Sequence, residues 1–168
     1  MSKIIKHTGN SIDFSTPIVM GILNLTTDSF YDGGLYLEED KIIRRIIQIE
    51  KLGAKIIDLG ASSSRPGSIP VSEDEEIKKL LPTIEIIKKH SNKLLISIDT
   101  FRSNVAKICI EKGADIINDI SAGNKDKEMF NTVIELDVPY IMMHMQGNSL
   151  TMQNNPRYKN IILELLEF

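Results

Sequence analysis

The stretch KLGAKIIDLGASSSRPGS, residues 51–68, contains the pattern that decides the fold. Gly53 stands where a helix that ends in a left-handed residue needs glycine, and residues 56–59 form a short, mostly apolar run. Such a run is typical of a buried strand in a parallel sheet. Three serines and Arg65 follow the strand, and they supply more hydrogen-bonding groups than a plain surface loop needs. The stretch predicts a helix, a buried strand and a polar binding loop, in that order.

The same unit recurs along the chain, after a hairpin predicted from a turn signal at Gly9-Asn10. Ser72 is a predicted helix N-cap, because Glu75 follows it at the capping-box spacing. The predicted strands cover residues 18–23, 56–59, 94–98, 115–118 and 140–143. The predicted helices cover residues 38–52, 73–89, 103–112, 126–136 and 158–168.

An alternation of buried strands and helices leaves two main architectures, an open doubly wound sheet and a (β/α)8 barrel of the TIM type. The glycine-rich dinucleotide fingerprint and the Walker phosphate loop are both absent, which weakens the nucleotide-binding versions of the open sheet. The 168 residues suffice for one domain, and we assign residues 1–168 to it. The predicted fold class is therefore α/β.

Composition and net charge exclude some classes of partner for the chain. Hydrophobic residues make up 42% of the chain and charged residues 26%, the balance of a globular protein. The net charge of -3 offers no basic field for nucleic acid. Cys109 is the single cysteine, so no internal disulfide is expected, and no apolar run is long enough to span a bilayer. We expect a cytoplasmic protein with neither nucleic acid nor membrane as a partner.

Polar groups stand at the carboxyl ends of all five predicted strands. Asn24 ends the first, the serine–arginine loop follows the second, and Asp99, Asn118 and His144 end the others. In a barrel the catalytic groups converge on this face, and in an open sheet the ligand also lies beyond the carboxyl edge. Five strands in succession that end in polar groups favour a common site.

Each of these residues also has a structural interpretation. Asp99 is equally suited to cap the helix that follows it, and Asn118 to tie down a loop. The structural role for Asp58 is that of a buried carboxylate that is bonded to neighbouring strand ends. The structural role for His144 is that of a hydrogen-bonded core histidine. Met142 either fills the core or lines a pocket.

Five ordered motifs closely resemble those of the dihydropteroate synthase family. They are MGILNLTTDSF at residues 20–30, GASSSRPG at residues 60–67, SIDT at residues 97–100, INDIS at residues 117–121 and MHMQG at residues 143–147. The resemblance implies a (β/α)8-barrel transferase of folate biosynthesis, a target of sulfonamides. Such enzymes join 6-hydroxymethyl-7,8-dihydropterin pyrophosphate to 4-aminobenzoate and release pyrophosphate and 7,8-dihydropteroate.

The resemblance also implies roles for single residues. Asn24 falls on the position that helps to hold the Mg²⁺ accompanying the pyrophosphate. Ser64 and Arg65 fall on positions at the pyrophosphate, and Asp99 and Asn118 on positions that hydrogen-bond the pterin ring. A carboxylate and a carboxamide suit the amino and ring-nitrogen groups of a pterin. The candidate catalytic residues are therefore Asn24, Ser64, Arg65 and Asp99.

The remaining candidates concern the substrate pocket. The loop around Asp28 and Phe30 resembles the mobile loop that closes over the substrates, and Met142 is a candidate for the pocket wall. The family usually has proline where this chain has Thr27, and glutamate where it has Ser62. The resemblance implies a homodimer for the full-length enzyme.

The length of the chain differs from that of a complete barrel, which takes roughly 250 residues. The pattern here reaches only the helix after the fifth strand, so we expect an incomplete barrel of about five β/α units with open sheet edges. Two other functions stay open. One is a corrinoid-linked pterin methyltransferase, which shares the barrel but has no anionic leaving group to bind. The other is a fragment of the synthase that is inactive alone.

Overall fold

The structure, a computed structural model, describes residues 4–7, 10–25, 35–61, 71–147, 151–152 and 154–168. Strands β1 (Ile4–His7) and β2 (Asn10–Asp13) form the predicted antiparallel hairpin. Strands and helices then alternate. The strands are β3 (Met20–Asn24), β4 (Ile56–Gly60), β5 (Leu95–Asp99), β6 (Ile116–Asp119) and β7 (Tyr140–Met142). The helices are α1 (Leu35–Lys51), α2 (Glu73–His90), α3 (Ser103–Lys112), α4 (Met129–Leu136) and α5 (Ile161–Glu167).

Strands β3 to β7 form one parallel sheet whose spatial order is the order of the chain. A doubly wound sheet reverses its strand order at a switch point, and this sheet has no reversal. The architecture is therefore five successive units of a (β/α)8 barrel, as expected, and the open-sheet alternative is wrong. Within the described residues, β3 and β7 are not paired with each other, so both are edge strands.

One face of the sheet carries the main hydrophobic core. Successive strand residues point to opposite faces, and alternate residues such as Ile57 and Leu59 pack against helices α1, α2 and α3. The helices contribute residues at helical spacing, because only one stripe of each faces the sheet. The fully buried members include Ile46, Ile57, Leu59, Leu80, Ile84, Ile87, Ile98, Val105 and Cys109. We call this the outer face, since it lies under the helices.

The other face, the inner face of the incomplete barrel, is apolar at one end and polar at the other. At the amino ends of the strands, Ile56 and Ile116 pack against Ile12 of the hairpin. The hairpin therefore covers the amino end of the inner face. Further along the same strands the inward side chains are Asp58, Ser97, Asp99 and Asn118, so the polar groups collect at the carboxyl end.

The predicted helix ends agree with the structure where a specific cap decides them. Gly53 and Gly113 have positive φ values of 89° and 108°, which glycine adopts without strain. Ser72 and Glu75 form the predicted capping box. Helix α4 starts three residues later than predicted, because the Asp126 carboxylate bonds the backbone of Glu128 in a turn.

Helix α5 likewise starts later than predicted, because Asn160 caps it by accepting from Ile162 N and Leu163 N. None of the described helices combines the length and the hydrophobicity that a membrane span requires.

Candidate active site

Three of the predicted site residues stand level with one another on neighbouring strands. The register pairs Asn24 with Gly60, Gly60 with Asp99, and Asp99 with Asn118. Residues directly opposite one another in a sheet point to the same face, and here that is the inner face. The sheet therefore brings Asn24, Asp99 and Asn118 into one row at the carboxyl end, which we call the polar row.

Asp58 lies one layer below the polar row, level with Ser97. Its carboxylate accepts a hydrogen bond from Ser97 Oγ at 2.6 Å and another from Asn118 Nδ2 at 3.0 Å. Burial raises the pKa of Asp58, and the two hydrogen bonds oppose that rise. The interpretation of Asp58 as a buried carboxylate bonded to neighbouring strands is confirmed, but one partner is itself a candidate site residue.

Asp99 differs from Asp58 in its surroundings, since its carboxylate makes no hydrogen bond within the described part of the chain. Burial raises the pKa of Asp99 to about 7, and the negative charges of Asp58, Glu76 and Asp119 contribute to that rise. A carboxylate with so perturbed a pKa, at the mouth of a barrel, is typical of a functional group.

The capping interpretation of Asp99 is wrong. The N-cap of α3 is Arg102, which makes no side-chain cap bond. The backbone N–H of Ser103 donates instead to Asp126 Oδ2 at 2.8 Å, and that of Arg102 donates to Thr100 Oγ1 at 3.2 Å. Asp99 ends a strand and points to the inner face, away from the helix it was expected to cap.

Gly60 leaves a gap between Asn24 and Asp99. A Cβ atom at residue 60 would lie 2.8 Å from Asn24 Oδ1 and 3.4 Å from Asp99 Oδ2. An amide oxygen and a carboxylate oxygen therefore both border the space above the bare backbone of Gly60. Mg²⁺ prefers oxygen ligands and usually takes only one or two protein groups beside water and phosphate. The donor set fits the ion that the resemblance implies, although the described residues hold no cluster of three or more His, Cys, Asp or Glu side chains for a metal.

Asp119 is a residue of the site region that the sequence interpretation missed. Its buried carboxylate accepts hydrogen bonds from Ser121 N at 2.7 Å, Gly123 N at 2.8 Å and the Tyr140 hydroxyl at 2.7 Å. These bonds hold the loop between β6 and α4. The expectation that Asn118 ties down this loop is therefore wrong, and Asp119 does so. An aspartate at the end of a strand, where its side chain can accept from the backbone N–H two residues on in an Asx turn, was the available signal.

A partly buried ion pair, also missed, supports the neighbouring loops. The Arg102 guanidinium bonds the Glu76 carboxylate and donates to the Val71 carbonyl at 2.8 Å. Arg102 follows β5, whereas Val71 directly precedes the N-cap of helix α2, so the pair ties two βα connections together. Sequence spacing gives no signal for it, because the partners are 26 residues apart.

His144 and Met142 lie apart from the polar row. The His144 ring packs edge-on against Phe168, with centroids 4.7 Å apart, and its two nitrogens have no hydrogen-bond partner within the described residues. The interpretation of His144 as a hydrogen-bonded core histidine is therefore wrong. Met142 is 53% exposed, so core filling is wrong too. In the register Met142 is opposite Asp119, while Ile141 is the residue level with Asn118.

Six positions singled out from the sequence lie outside the described residues, namely Thr27, Asp28, Phe30, Ser62, Ser64 and Arg65. Cys109 is described and is buried in the core, and burial raises the pKa of its thiol to about 12. It is therefore a small apolar residue rather than a nucleophile, as its mid-helix position indicated.

Comparisons with known proteins agree on one family. The model of the pterin-binding enzymes matches residues 20–168. A dihydropteroate synthase of Streptococcus pyogenes is 48% identical over 150 residues, which are 89% of this chain and 53% of that protein.

Two solved structures match the whole fold of the chain. A Yersinia pestis dihydropteroate synthase with a sulfonamide drug complex has a TM-score of 0.82 and 33% identity, over 98% of this chain and 59% of that one. A Xanthomonas albilineans dihydropteroate synthase with 4-aminobenzoic acid has a TM-score of 0.82 and 32% identity, over 100% of this chain and 59% of that one. The chain thus spans little more than half the length of these three relatives.

Proposed function

Because this chain belongs to the pterin-binding enzyme family, we propose that its polar row holds the pterin substrate of a dihydropteroate synthase. In the proposed reaction the amine of 4-aminobenzoate attacks the methylene carbon of 6-hydroxymethyl-7,8-dihydropterin pyrophosphate. The C–N bond forms, the C–O bond to pyrophosphate breaks, and the amine loses a proton. The observation that carries the proposal is the convergence of Asn24, Asp99 and Asn118 at one end of the inner face.

The pterin is proposed to bind to Asp99 and Asn118. An ionised carboxylate accepts hydrogen bonds only, and a carboxamide both donates and accepts. Together they match the amino group and ring nitrogens of the pterin edge. A ligand without these groups would leave buried polar atoms unpaired, so the pocket would reject it.

The leaving pyrophosphate is proposed to lie at the other end of the polar row, next to Asn24. Asn24 would hold Mg²⁺ through its amide oxygen, with Asp99 close by. When bound, the ion neutralises negative charge that builds up on the leaving group. The residues of the chain bind and orient the substrates, and the proposed reaction needs no protein nucleophile.

Residues outside the polar row complete the proposal. Arg65 offers a permanently charged fork of donors for pyrophosphate or carboxylate oxygens, and Ser64 offers a neutral donor. Asp28 and Phe30 are proposed to lie in a loop that closes over the substrates, and Met142 to line the pocket. These five assignments rest on the sequence motifs.

The setting of the enzyme is proposed from composition and from the family resemblance. The single cysteine suits a reducing compartment such as the cytoplasm, and small molecules are its expected partners. A homodimer is proposed for the full-length enzyme. The resemblance to the family alone supports that oligomeric state.

The proposal predicts that Asp99→Asn and Asn118→Ala each weaken pterin binding. Loss of one good hydrogen bond in a closed pocket costs about 1–3 kcal/mol, so we expect affinity to fall about tenfold to a hundredfold. The measurement is calorimetric titration of the pterin pyrophosphate into the chain and into the extended protein, in which the chain is continued to the length of the relatives.

A matched control is Asn104→Ala, which removes an exposed hydrogen bond to Glu73 on the outer surface. Its affinity for the pterin should equal that of the unmodified protein. Unchanged affinity in both site variants would remove the polar row from the pterin site. Titration with inorganic pyrophosphate separates the synthase from a corrinoid-linked methyltransferase, because only the synthase has a site for that anion.

A further inference from the structure

Asp58 is a buried charged group that the proposed reaction does not use. It lies below the polar row, is only 6% exposed, and receives hydrogen bonds from two other strands. We propose that Asp58 is a positioning residue that orients the Asn118 carboxamide, so that its oxygen rather than its nitrogen faces the ligand. This inference rests on the proposed pterin site and specifies which ligand edge that site accepts.

The two ends of a carboxamide differ in the hydrogen bonds that they form. One end of Asn118 donates hydrogen bonds and the other accepts them, and rotation about its last torsion exchanges them at little intrinsic cost. An isolated asparagine would therefore present either end to a ligand. Such ambiguity costs affinity, because one orientation leaves a ligand N–H facing another N–H.

Asp58 removes the ambiguity. An ionised carboxylate only accepts hydrogen bonds, so the Asn118 nitrogen must be the atom that faces it, at 3.0 Å. The opposite orientation would place two oxygen atoms at that distance in a buried site. Ser97 Oγ donates to the second carboxylate oxygen at 2.6 Å and so prevents Asp58 from turning away.

The consequence is a defined pattern of acceptors in the polar row. With its nitrogen engaged by Asp58, Asn118 has Oδ1 left to accept a hydrogen bond from a ligand on the inner face. Asp99, level with Asn118 on the adjacent strand, offers a carboxylate. Two neighbouring acceptors select a ligand edge with two neighbouring N–H donors, such as the amino-substituted pyrimidine edge of a pterin. An edge with carbonyl oxygens is rejected.

The test is a set of four variants of the extended protein, namely Asp58→Asn, Asn118→Ala, the two combined, and the exchange Asp58→Asn with Asn118→Asp. In Asp58→Asn the new amide donates toward residue 118, which turns the Asn118 nitrogen to the ligand. We expect pterin affinity to fall at least tenfold. The combined variant should bind within about twofold of Asn118→Ala, because Asp58 acts through Asn118.

The exchange variant supplies a rescue. The amide now at position 58 donates to the carboxylate now at position 118, whose second oxygen again accepts from the ligand. We therefore expect affinity to return to within about threefold of the unmodified protein. The exchange keeps the net charge and a donor–acceptor pair between the strands, so it decides the question even if Asp58→Asn alone fails to fold. A folded exchange variant that stays as weak as Asn118→Ala would overturn the proposal.

A control separates positioning from general loosening. Asp126→Asn alters another hydrogen-bonded carboxylate, which accepts from the backbone N–H groups of Ser103 and Glu128 and lies outside the polar row. It should lower the melting temperature while pterin affinity stays within about twofold. If the losses in Asp58→Asn and Asn118→Ala are fully additive, Asp58 does not act through Asn118. If the unmodified extended protein does not bind pterin at all, the proposed function fails instead.

Discussion

Asp58 and Asp99 show how two carboxylates on one face acquire different properties. Asp58 receives two hydrogen bonds that favour its charged form, whereas Asp99 receives none within the described residues and lies near three other negative charges. Both side chains lose water on folding, and that loss raises both pKa values. Asp58 is therefore suited to be a fixed acceptor within the protein, whereas Asp99 is suited to accept hydrogen bonds from a ligand.

The raised pKa of Asp99 makes a prediction about stability. A carboxyl group whose pKa is higher in the folded than in the unfolded chain binds more protons when folded, between about pH 4 and pH 7. The contribution of Asp99 to the free energy of unfolding must therefore fall as the pH rises through that window. Asp99→Asn never ionises and avoids the loss. Its melting temperature should exceed that of the unmodified chain at pH 8 and approach it at pH 4, as calorimetry can measure.

Asp126→Asn is a control with the opposite sign. The Ser103 backbone N–H lowers the pKa of Asp126, so its charge stabilises the folded chain above its unfolded pKa, and this variant should melt lower at pH 8. If Asp99→Asn also melts lower at pH 8, the charge of Asp99 is compensated in a way that the described contacts do not include.

Gly60 is predicted to affect the binding of Mg²⁺ rather than the stability of the fold. In Gly60→Ala the new Cβ would lie 2.8 Å from Asn24 Oδ1, the tip of an exposed side chain that can turn away at little cost. We expect a nearly unchanged melting temperature and about a tenfold rise in the Mg²⁺ concentration needed for half-maximal turnover of the extended protein. Gly53→Ala should show the reverse, a loss of about 1 kcal/mol in stability from its positive φ and unchanged magnesium dependence.

The strands and the loops after them are held in place by different interactions. The strands hold Asn24, Asp99 and Asn118 in register, and a residue inside a sheet ladder has little freedom to move. The loops depend on side-chain anchors instead. Asp119 bonds the β6–α4 loop and β7 at three points, and Arg102 bonds the segment before α2.

Asp119 therefore makes a prediction for the β6–α4 loop. Asp119→Ala leaves two buried backbone N–H groups without partners, at about 1–3 kcal/mol each, so the urea midpoint should fall clearly. Tyr140→Phe removes only the third bond and should cost about 1 kcal/mol. Equal midpoints for the two variants would show that water replaces Asp119 as the partner of the loop.

The incomplete barrel exposes apolar surface in the chain as a whole. Ile22 on β3 is 56% exposed and Ile141 on β7 is 36% exposed, both on the inner face of edge strands. Helix α5 has no buried residue, and its Leu166 is 78% exposed. Edge strands with free backbone groups and apolar patches promote association.

We predict that the 168-residue chain by itself associates with a concentration-dependent mass and does not turn over the pterin substrate. Sedimentation velocity measures the first and a synthase assay the second. Ile22→Lys with Ile141→Lys should reduce the association, because lysine on an edge strand opposes pairing, whereas Leu52→Lys on the outer surface should not. A monomeric chain that is as active as the extended protein would contradict both expectations.

Much of the fold was predictable, because it depends on local patterns. Apolar runs, the glycines at positions 53 and 113 and the capping box at Ser72 each act within a few residues. They determined the βα order, and they placed the helix ends next to Gly53, Ser72 and Gly113 to within one residue. The motifs also located Asn24 and Asp99 at the carboxyl ends of their strands and Asn118 one residue before the end of its strand.

Only the tertiary structure decided the relations between strands. The register brings Asp58, Ser97 and Asn118 together from three strands, and no spacing in the sequence records that register. The same holds for the capping of α3 by Asp126 and the pairing of Arg102 with Glu76. Local patterns determine elements because backbone sterics and hydrogen bonds act over one turn. Burial, pKa and hydrogen-bond polarity depend on side chains that only the packed sheet brings into contact.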